Sequence, residues 1–215
     1  MKISKRLKAI ADLVEDNYVI DIGCDHALLD IYLEKEKDIK CIASDINENV
    51  IKIAKKNKEK YHSNITIIQS DGLDKINIEN QSTCIIAGMG TNTIIKILNN
   101  QKINNINNFI IQTNNDYKLL RETMMKKNYH IVDEIVFLDK NIWYIIIKFK
   151  KGFHKYSNIE LELGPILIKK KDKVYFTYLL NSYSKILNSI PKKYILKRLH
   201  IKYLISYIKK LGPSS

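Results

Sequence analysis

The stretch YVIDIGCDHALLD, residues 18–30, joins a short apolar run to a glycine turn and then to a helical pattern. The run at 18–22 has the length of a buried strand, and Gly23 lets the backbone turn and leaves room for a ligand. A strand that turns directly into a helix is the repeating unit of α/β folds. This stretch therefore predicts the first strand of such a domain and the helix that follows it.

The same alternation of strand and helix patterns extends over the first 150 residues. Residues 3–14 place apolar side chains on one stripe, which predicts an amphipathic helix. Because strand and helix keep taking turns, we expect a doubly wound, mainly parallel sheet with helices on both faces. The remaining predicted segments are strands at 39–46, 65–68, 83–87 and 109–112, and helices around 27–37, 48–61, 94–98 and 119–123.

Two β-rich runs, 129–138 and 142–149, close this series and are joined by the short polar turn 139–141. No helix fits between them, so we expect an antiparallel hairpin at one edge of the sheet. A parallel sheet closed by such a hairpin is the arrangement of the Rossmann-like class I methyltransferases, whereas dinucleotide dehydrogenases commonly continue in parallel. The hairpin therefore favours methyl transfer.

Beyond residue 151 the alternation stops, and the residues after Gly164-Pro165 show helical spacing. Apolar positions follow 3/4 spacing over 176–190 and again over 201–211, with Pro191 between them. Two antiparallel helices are the simplest arrangement of these segments. We expect a methyltransferase domain at 1–155 and a small, coiled-coil-like α-helical domain at 156–215.

The net charge of +13 comes from 36 Lys and Arg against 23 Asp and Glu, and only three of the 36 are arginine. A lysine surplus of this kind is typical of the codon bias of an AT-rich genome. The charge is nevertheless localised, because residues 1–150 carry +2 and residues 151–215 carry +11. A basic tail on a near-neutral body predicts a polyanionic partner.

The three cysteines Cys24, Cys41 and Cys84 lack the spacing of a metal site and lie in or beside apolar runs. They are typical of reduced core thiols in a cytosolic protein, and no metal is expected. Charged residues interrupt the amino-terminal apolar positions, which argues against a signal peptide. No apolar stretch has the length of a membrane helix. We expect a cytoplasmic protein, a monomer without a membrane partner.

Acidic residues follow successive predicted strands, at the sheet edge where ligands of open parallel sheets gather. Asp21 can accept a hydrogen bond from a cationic amine such as the methionyl ammonium of S-adenosylmethionine. Asp45 can accept from both ribose hydroxyls of an adenosine. Asp71, beside Gly72, can accept from an adenine amino group.

A fourth loop, residues 87–91, places glycines on both sides of Met89, which leaves the floor of a site bare for a planar substrate. Each loop alone has a structural interpretation, since acids at strand ends cap helices and glycines form turns. An acidic residue at the end of each of three successive strands is harder to explain by a structural role than any one of these loops alone. The fingerprints of dinucleotide and P-loop sites are absent from the sequence.

The combined motifs resemble the bacterial tRNA (adenine(22)-N1)-methyltransferases. The matching residues are SKRL at 4–7, DIGCDHA at 21–27, DGL at 71–73, AGMG at 87–90, Gln112 and Asn114 of QTN, and LGPIL at 163–167. The chain departs from the family's usual pattern at Leu28, Asp30 and Thr113, since the family commonly has an aromatic residue at the first position and proline at the other two. At the position of Asp45, the family usually has the other acidic residue type.

The resemblance implies S-adenosylmethionine as cofactor and N1 of adenine 22, in the D-arm of tRNA, as methyl acceptor. Asp25 is expected to accept from the adenine N6 amino group and His26 to position the base or Asp25; both are the expected catalytic residues. The expected cofactor-binding residues are Asp21, Gly23, Cys24, Asp45, Ile46, Asp71, Gly72, Ala87 and Gly88. The expected substrate-binding residues are Arg6, Met89, Gly90, Gln112, Asn114, Lys193, Lys197, Arg198 and Lys202.

Several alternatives stay open. His26 can instead be a helix-start residue that packs against the second helix of the sheet domain, and Gln112 and Asn114 can be loop caps. The basic tail can be a solvated surface. For the whole chain, the alternatives are a methyltransferase for another RNA or a small molecule, and a nonenzymatic RNA-binding protein with a degenerate Rossmann fold.

Overall fold

The computed structural model describes residues 1–78 and 82–212, and its strands and helices alternate through the first 150 residues. The strands are β1 (Tyr18–Ile22), β2 (Lys40–Asp45), β3 (Thr66–Gln69), β4 (Thr83–Met89), β5 (Asn108–Thr113), β6 (Tyr129–Asp139) and β7 (Ile142–Lys151). The helices are α1 (Lys5–Asp12), α2 (Leu28–Lys37), α3 (Glu48–Lys60), α4 (Thr91–Leu98), α5 (Tyr117–Lys126), α6 (Asn158–Leu163), α7 (Pro165–Lys170), α8 (Lys173–Ser189) and α9 (Ile195–Lys210), with a 3-10 helix at Gln101–Asn105.

The strands form one seven-stranded sheet in the order β3-β2-β1-β4-β5-β7-β6. The first five are parallel, and β7 pairs antiparallel with both β5 and β6. This confirms the predicted Rossmann-like sheet with its antiparallel closing hairpin. The chain crosses from β3 to β4 on the other side of β1, so the strand order reverses there. In open sheets ligands bind at the carboxyl ends of the strands beside this reversal.

The core lies around the central strands. β1 is buried at all five positions, and a strand covered on both faces is apolar without alternation. Ile20, Ile85, Ile110 and Ile146, on β1, β4, β5 and β7, have no exposed surface. The three cysteines are free and buried, as expected of core thiols.

The closing hairpin turns more tightly than the sequence predicts. Asp139 pairs with Ile142, so only Lys140 and Asn141 form the turn. Both have positive φ, 47° and 64°, as the central residues of a type I′ turn require. This turn matches the right-handed twist of the two strands, which explains why they pair up to the turn itself.

A buried ion pair joins α5 to the hairpin. Arg121 Nε donates to Glu134 Oε1 at 2.8 Å, and their side chains are 1% and 0% exposed. A charge removed from water in this way is tolerated only when it is paired. Arg121, one of three arginines, thus has a structural role that the sequence analysis did not identify.

The chain divides into two compact units, Met1–Lys155 and Tyr156–Ser215. The second unit is helical, but it has four helices among its described residues rather than the two expected. The additional pair, α6 and α7, is short. α6 begins with a capping box in which Ser157 and Glu160 bond reciprocally, and α8 and α9 pack against each other. None of the helices within 1–78 and 82–212 has the length and apolar character needed to span a membrane.

Candidate active site

The main cavity lies at the carboxyl ends of the parallel strands and has a volume of about 480 Å³. Its walls come from the loops after β1, β2 and β3, from the end of β4, and from α4. The sequence places an acid or a glycine at each of these strand ends. Five of the predicted cofactor residues and one predicted substrate residue contribute to the wall: Gly23, Asp45, Ile46, Asp71 and Gly72, and Met89.

At the end of β2 an acidic and an apolar side chain stand next to each other. Asp45 Oδ1 accepts from the backbone N–H of Asn47 at 2.9 Å, which holds the carboxylate at the cavity wall. Ile46 is 63% exposed, and Gln69 Nε2 donates to its carbonyl. An exposed isoleucine beside a carboxylate suits a ligand with an apolar ring attached to a hydroxylated sugar.

The loop after β3 is held rigidly. Ser70 Oγ donates to the carbonyl of Gly72 at 3.0 Å, and Gly72 has a φ of +50°. Lys102, from the 3-10 helix, donates to the carbonyls of Leu73, Asp74 and Ile76 at 3.1, 2.7 and 2.9 Å. This lysine was not predicted from the sequence, because nothing in the local pattern indicates three carbonyl acceptors 26, 28 and 29 residues away. It fixes the loop that carries Asp71.

Gly23 is required by its conformation and by its neighbour. Its φ is +78°, and a Cβ atom there would lie 2.0 Å from Met89 Cε. Its N–H and that of Cys24 both donate to the carbonyl of Ser44, at 2.8 and 3.0 Å. The turn after β1 is thereby tied to the end of β2, and Met89 from the fourth loop covers it.

The two predicted catalytic residues lie on a strained segment. Asp25 and Ala27 have φ values of 52° and 55°, which non-glycine residues adopt at a cost. His26 Nε2 lies 3.5 Å from Asp25 Oδ1, and these side chains are 48% and 77% exposed. His26 is therefore not packed into the core, and its carbonyl accepts from Asn57 Nδ2 of α3 at 2.9 Å.

Asp25 and His26 line a second, smaller cavity of about 60 Å³. Arg6 from α1, Asp21 from β1 and Ala87 from β4 share its wall. Gly23 lines both cavities, so the cofactor-type residues and the predicted catalytic residues meet at this glycine.

Gln112 lies inside the protein rather than at the cavity surface. Its Oε1 accepts from Arg6 Nη1 and from the Gly88 N–H, both at 3.1 Å. Its Nε2 donates to the Thr113 carbonyl and to Asn114 Oδ1, and Asn114 Nδ2 donates to the Gly88 carbonyl at 2.8 Å. These contacts favour the loop-cap interpretation of both amides. Contact between either amide and a base stays a prediction.

Arg6 approaches Gly88 closely. A Cβ atom at Gly88, whose φ is +82°, would lie 2.9 Å from Arg6 Nη1. The glycine therefore leaves space for the guanidinium of Arg6. This use of Gly88 was not evident from the sequence, since the two residues are far apart in the chain.

Thr113 belongs to a hydrogen-bond cluster that supports the fourth loop. Its hydroxyl hydrogen-bonds that of Thr91 at 2.8 Å, and it donates to the carbonyl of Met89 at 3.2 Å. The Thr91 N–H donates to Asn115 Oδ1 at 2.9 Å. Gly90 precedes Thr91 as the N-cap of α4. The residue that departs from the resembled pattern thus stabilises Met89 and Gly90.

Two buried acids lie at the second cavity: Asp21 in its wall and Asp30 outside its lining. Burial raises the pKa of Asp21 to about 7, although a hydrogen bond from Asp30 and the Arg6 guanidinium lower it. Asp30 is completely buried, and burial together with Asp21 raises its pKa well above the usual range. No role for Asp30 was predicted from the sequence.

The predicted basic residues of the second unit fall into two groups. Lys193, Lys197 and Lys202 are exposed, but α9 begins at Ile195, so Lys193 lies in the preceding turn rather than on the helix as expected. Arg198 is half-buried, and its Nη1 donates to the carbonyls of Leu187 and Ile190 at the end of α8. Contact between these side chains and phosphates stays a prediction.

Comparison with known proteins places this geometry in a family. The family model described as "Methyltransferase domain" matches residues 3–147. A protein of Mycoplasma genitalium, provisionally named a tRNA methyltransferase, is 37% identical over 80% of this chain and 81% of its own. The Bacillus subtilis tRNA (adenine(22)-N1)-methyltransferase is 32% identical over 81% of this chain and 79% of its own.

A solved relative carries the cofactor product. The structure of M. capricolum TrmK in complex with S-adenosyl-homocysteine has a TM-score of 0.79 and 30% identity, and the match covers 98% of this chain and 97% of that one. Nearly the whole chain, including the helical second unit, has a counterpart in that protein. By sequence, fold and the position of its acidic strand ends, this chain belongs to the bacterial tRNA (adenine(22)-N1)-methyltransferase family.

Proposed function

We propose that the protein transfers a methyl group from S-adenosylmethionine to N1 of adenine 22 in the D-arm of tRNA. The observation that carries this proposal is the cavity at the strand-order reversal, where Gly23, Asp45 and Asp71 line one wall in the order of the family's motifs. Membership of the family supports the substrate, because the B. subtilis relative is named for this reaction.

The residues present fit an S-adenosyl cofactor. The positive φ of Gly23 and the Met89 methyl group at the place of its missing Cβ exclude any side chain at this position, so bare backbone lines the cavity there. Asp45 would accept from the ribose hydroxyls, with Ile46 and Asp71 toward the adenine. Asp21, which lines the smaller cavity, would accept from the methionyl ammonium.

The chemistry needs alignment more than proton removal. When bound, S-adenosylmethionine supplies an electrophilic methyl group, and N1 of neutral adenine already has an in-plane lone pair. No general base is therefore required; instead the site must orient the base and stabilise the positive charge that the ring acquires. Asp25 would accept from the N6 amino group and stabilise that charge. His26, 3.5 Å from the Asp25 carboxylate, would position it.

Substrate binding would involve the second unit. Exposing a base within folded tRNA costs a few kcal/mol, which phosphate contacts offset. Lys193, Lys197 and Lys202 are exposed there, in the part of the chain that carries most of the net charge. We place the reaction in the cytoplasm and the enzyme as a monomer, because one chain supplies both the cofactor cavity and a basic surface.

The test is methyl transfer from labelled S-adenosylmethionine to unmodified tRNA, with the modified base mapped as a stop in reverse transcription. We expect 1-methyladenosine at position 22, and no incorporation into the same tRNA with guanine there. If the protein binds S-adenosyl-homocysteine but methylates no position, the activity is refuted. Methylation at another position would support the methyl-transfer reaction but contradict adenine 22 as its target.

A further inference from the structure

Asp30 is a buried acid that forms no ion pair with the part of the chain that the structure describes. It lies in the first turn of α2 and has no exposed surface. No N–H or O–H group of the described residues donates to either of its carboxyl oxygens. A carboxylate in such a place is strongly disfavoured, because burial removes water and nothing compensates the charge.

The neighbour of Asp30 is a second carboxyl group, that of Asp21. Two carboxylates in contact repel each other, and a hydrogen bond can join them only if one carries a proton. Asp21 lines the second cavity, whereas Asp30 lies behind it with no access to that cavity. The proton is therefore expected on Asp30, and the charge on the residue that meets the ligand.

We propose that Asp30 is a positioning residue that stays protonated at neutral pH and donates its proton in a hydrogen bond to the Asp21 carboxylate. Once Asp21 is ionised, the pair presents one negative charge, oriented toward the second cavity. A negative charge there would bind an ammonium group. The identity of that ligand rests on the proposed function. The protonation of Asp30 is a property of the chain without any ligand.

The surrounding charges are consistent with one proton on the pair. The amino-terminal end of α2 favours a charged Asp30, but complete burial and the adjacent Asp21 outweigh it, so that its pKa rises. The charge of Asp30 also acts on the thiols of Cys24 and Cys41. The charged groups that act on Asp21 are Arg6 of α1, Asp25 of the loop after β1 and Asp45 of β2, and Asp21 acts in turn on the thiol of Cys84.

Infrared spectroscopy of the full-length protein tests the proton directly. At pH 7 we expect the C=O stretch of protonated carboxylic acid, shifted in D2O and weaker by one carboxylic acid per molecule in Asp30→Asn, because Asp21 with its pKa of about 7 contributes to the band in both proteins. Asp30→Asn keeps the shape and a donor, so it should fold. A wild-type band no stronger than that of Asp30→Asn would overturn the proposal.

The pH dependence of unfolding gives a second test. An acid whose pKa is raised by folding binds a proton in the folded state only, so stability falls as pH rises toward the folded-state pKa. Between about pH 5 and 7, the unfolding equilibrium constant of the wild type should rise about tenfold per pH unit relative to Asp30→Asn. Parallel curves for the two proteins would contradict a proton on Asp30.

Binding of S-adenosyl-homocysteine tests the donation to Asp21. Asp30→Leu keeps the side-chain volume but removes the hydrogen-bond donor, so the pKa of Asp21 should rise. Affinity for S-adenosyl-homocysteine should therefore fall about tenfold at pH 7 and recover near pH 9. Asp30→Asn should bind like the wild type. Equal affinity of Asp30→Leu and Asp30→Asn at both pH values would refute the donation. If neither the wild type nor any variant binds S-adenosyl-homocysteine, the proposed function is contradicted. The infrared comparison still tests whether Asp30 is protonated.

Discussion

Asp45 and Asp25 line different cavities, and this separates their expected roles. Asp45 is on the wall of the large cavity, where a ribose would lie. Asp25 is 77% exposed at the smaller one, where an incoming base can reach it. A substitution at each position should therefore change a different measurement.

For Asp45→Asn we expect affinity for S-adenosyl-homocysteine to fall about 10- to 100-fold, because a hydrogen bond to a charged acceptor contributes about 1.5–3 kcal/mol. Asp25→Asn should leave that affinity unchanged and lower kcat by about tenfold or more. Calorimetry and single-turnover methylation measure the two effects. Equal loss of cofactor affinity in both variants would contradict the assignment of roles.

At the scale of elements, packing of α5 on β6 depends on the ion pair between Arg121 and Glu134. Removing one partner leaves a buried charge unpaired, which costs about 3–5 kcal/mol. Replacing both by apolar residues of similar volume is often neutral, since neither charge then has to be desolvated. Neither Arg121 nor Glu134 lines either of the two cavities, so the effect of the pair should be on stability alone.

We therefore expect Arg121→Met to lower the free energy of unfolding by about 3–5 kcal/mol, and the double variant Arg121→Met with Glu134→Leu to recover most of it. Denaturant titration measures both, with S-adenosyl-homocysteine affinity as the control for an intact site. If the double variant is as unstable as the single one, the ion pair is not the source of the loss.

Element positions followed from the sequence, but some local geometry did not. The apolar runs predicted the seven strands, because a strand buried on both faces must be apolar throughout. The tight turn at Lys140 and Asn141 was missed, since lysine is an unusual residue for positive φ. Arg198 was expected to contact phosphate, yet it donates to two carbonyls at the end of α8, a contact that depends on how α8 and α9 pack.

At the scale of the whole molecule, charge is divided between a near-neutral first part and a basic second unit. The exposed lysines there would release counterions when they contact tRNA phosphates. Each contact that is lost reduces the salt dependence of binding by about one unit of slope. This separates a phosphate-binding surface from a basic surface that is merely solvated.

The variant Lys193→Gln, Lys197→Gln, Lys202→Gln should weaken tRNA binding and reduce the slope of log affinity against log salt by up to about three. S-adenosyl-homocysteine affinity should not change. The matched control replaces three exposed lysines of the first unit, Lys55, Lys56 and Lys126, by Gln. An unchanged slope in the tail variant, or an equal decrease in the control, would refute the tail's role.

The sequence by itself determined which residues lie at the carboxyl edge of the sheet. An apolar run followed by a turn has to place the next residues there, so Asp21, Gly23, Asp45 and Asp71 could be selected without a structure. Only the tertiary structure brought Asp30 against Asp21, Arg6 against Gly88, and Lys102 under the loop of Asp71. These contacts join segments through burial and side-chain reach, and the free energy of burying a carboxyl or satisfying a carbonyl depends on neighbours that no local pattern specifies.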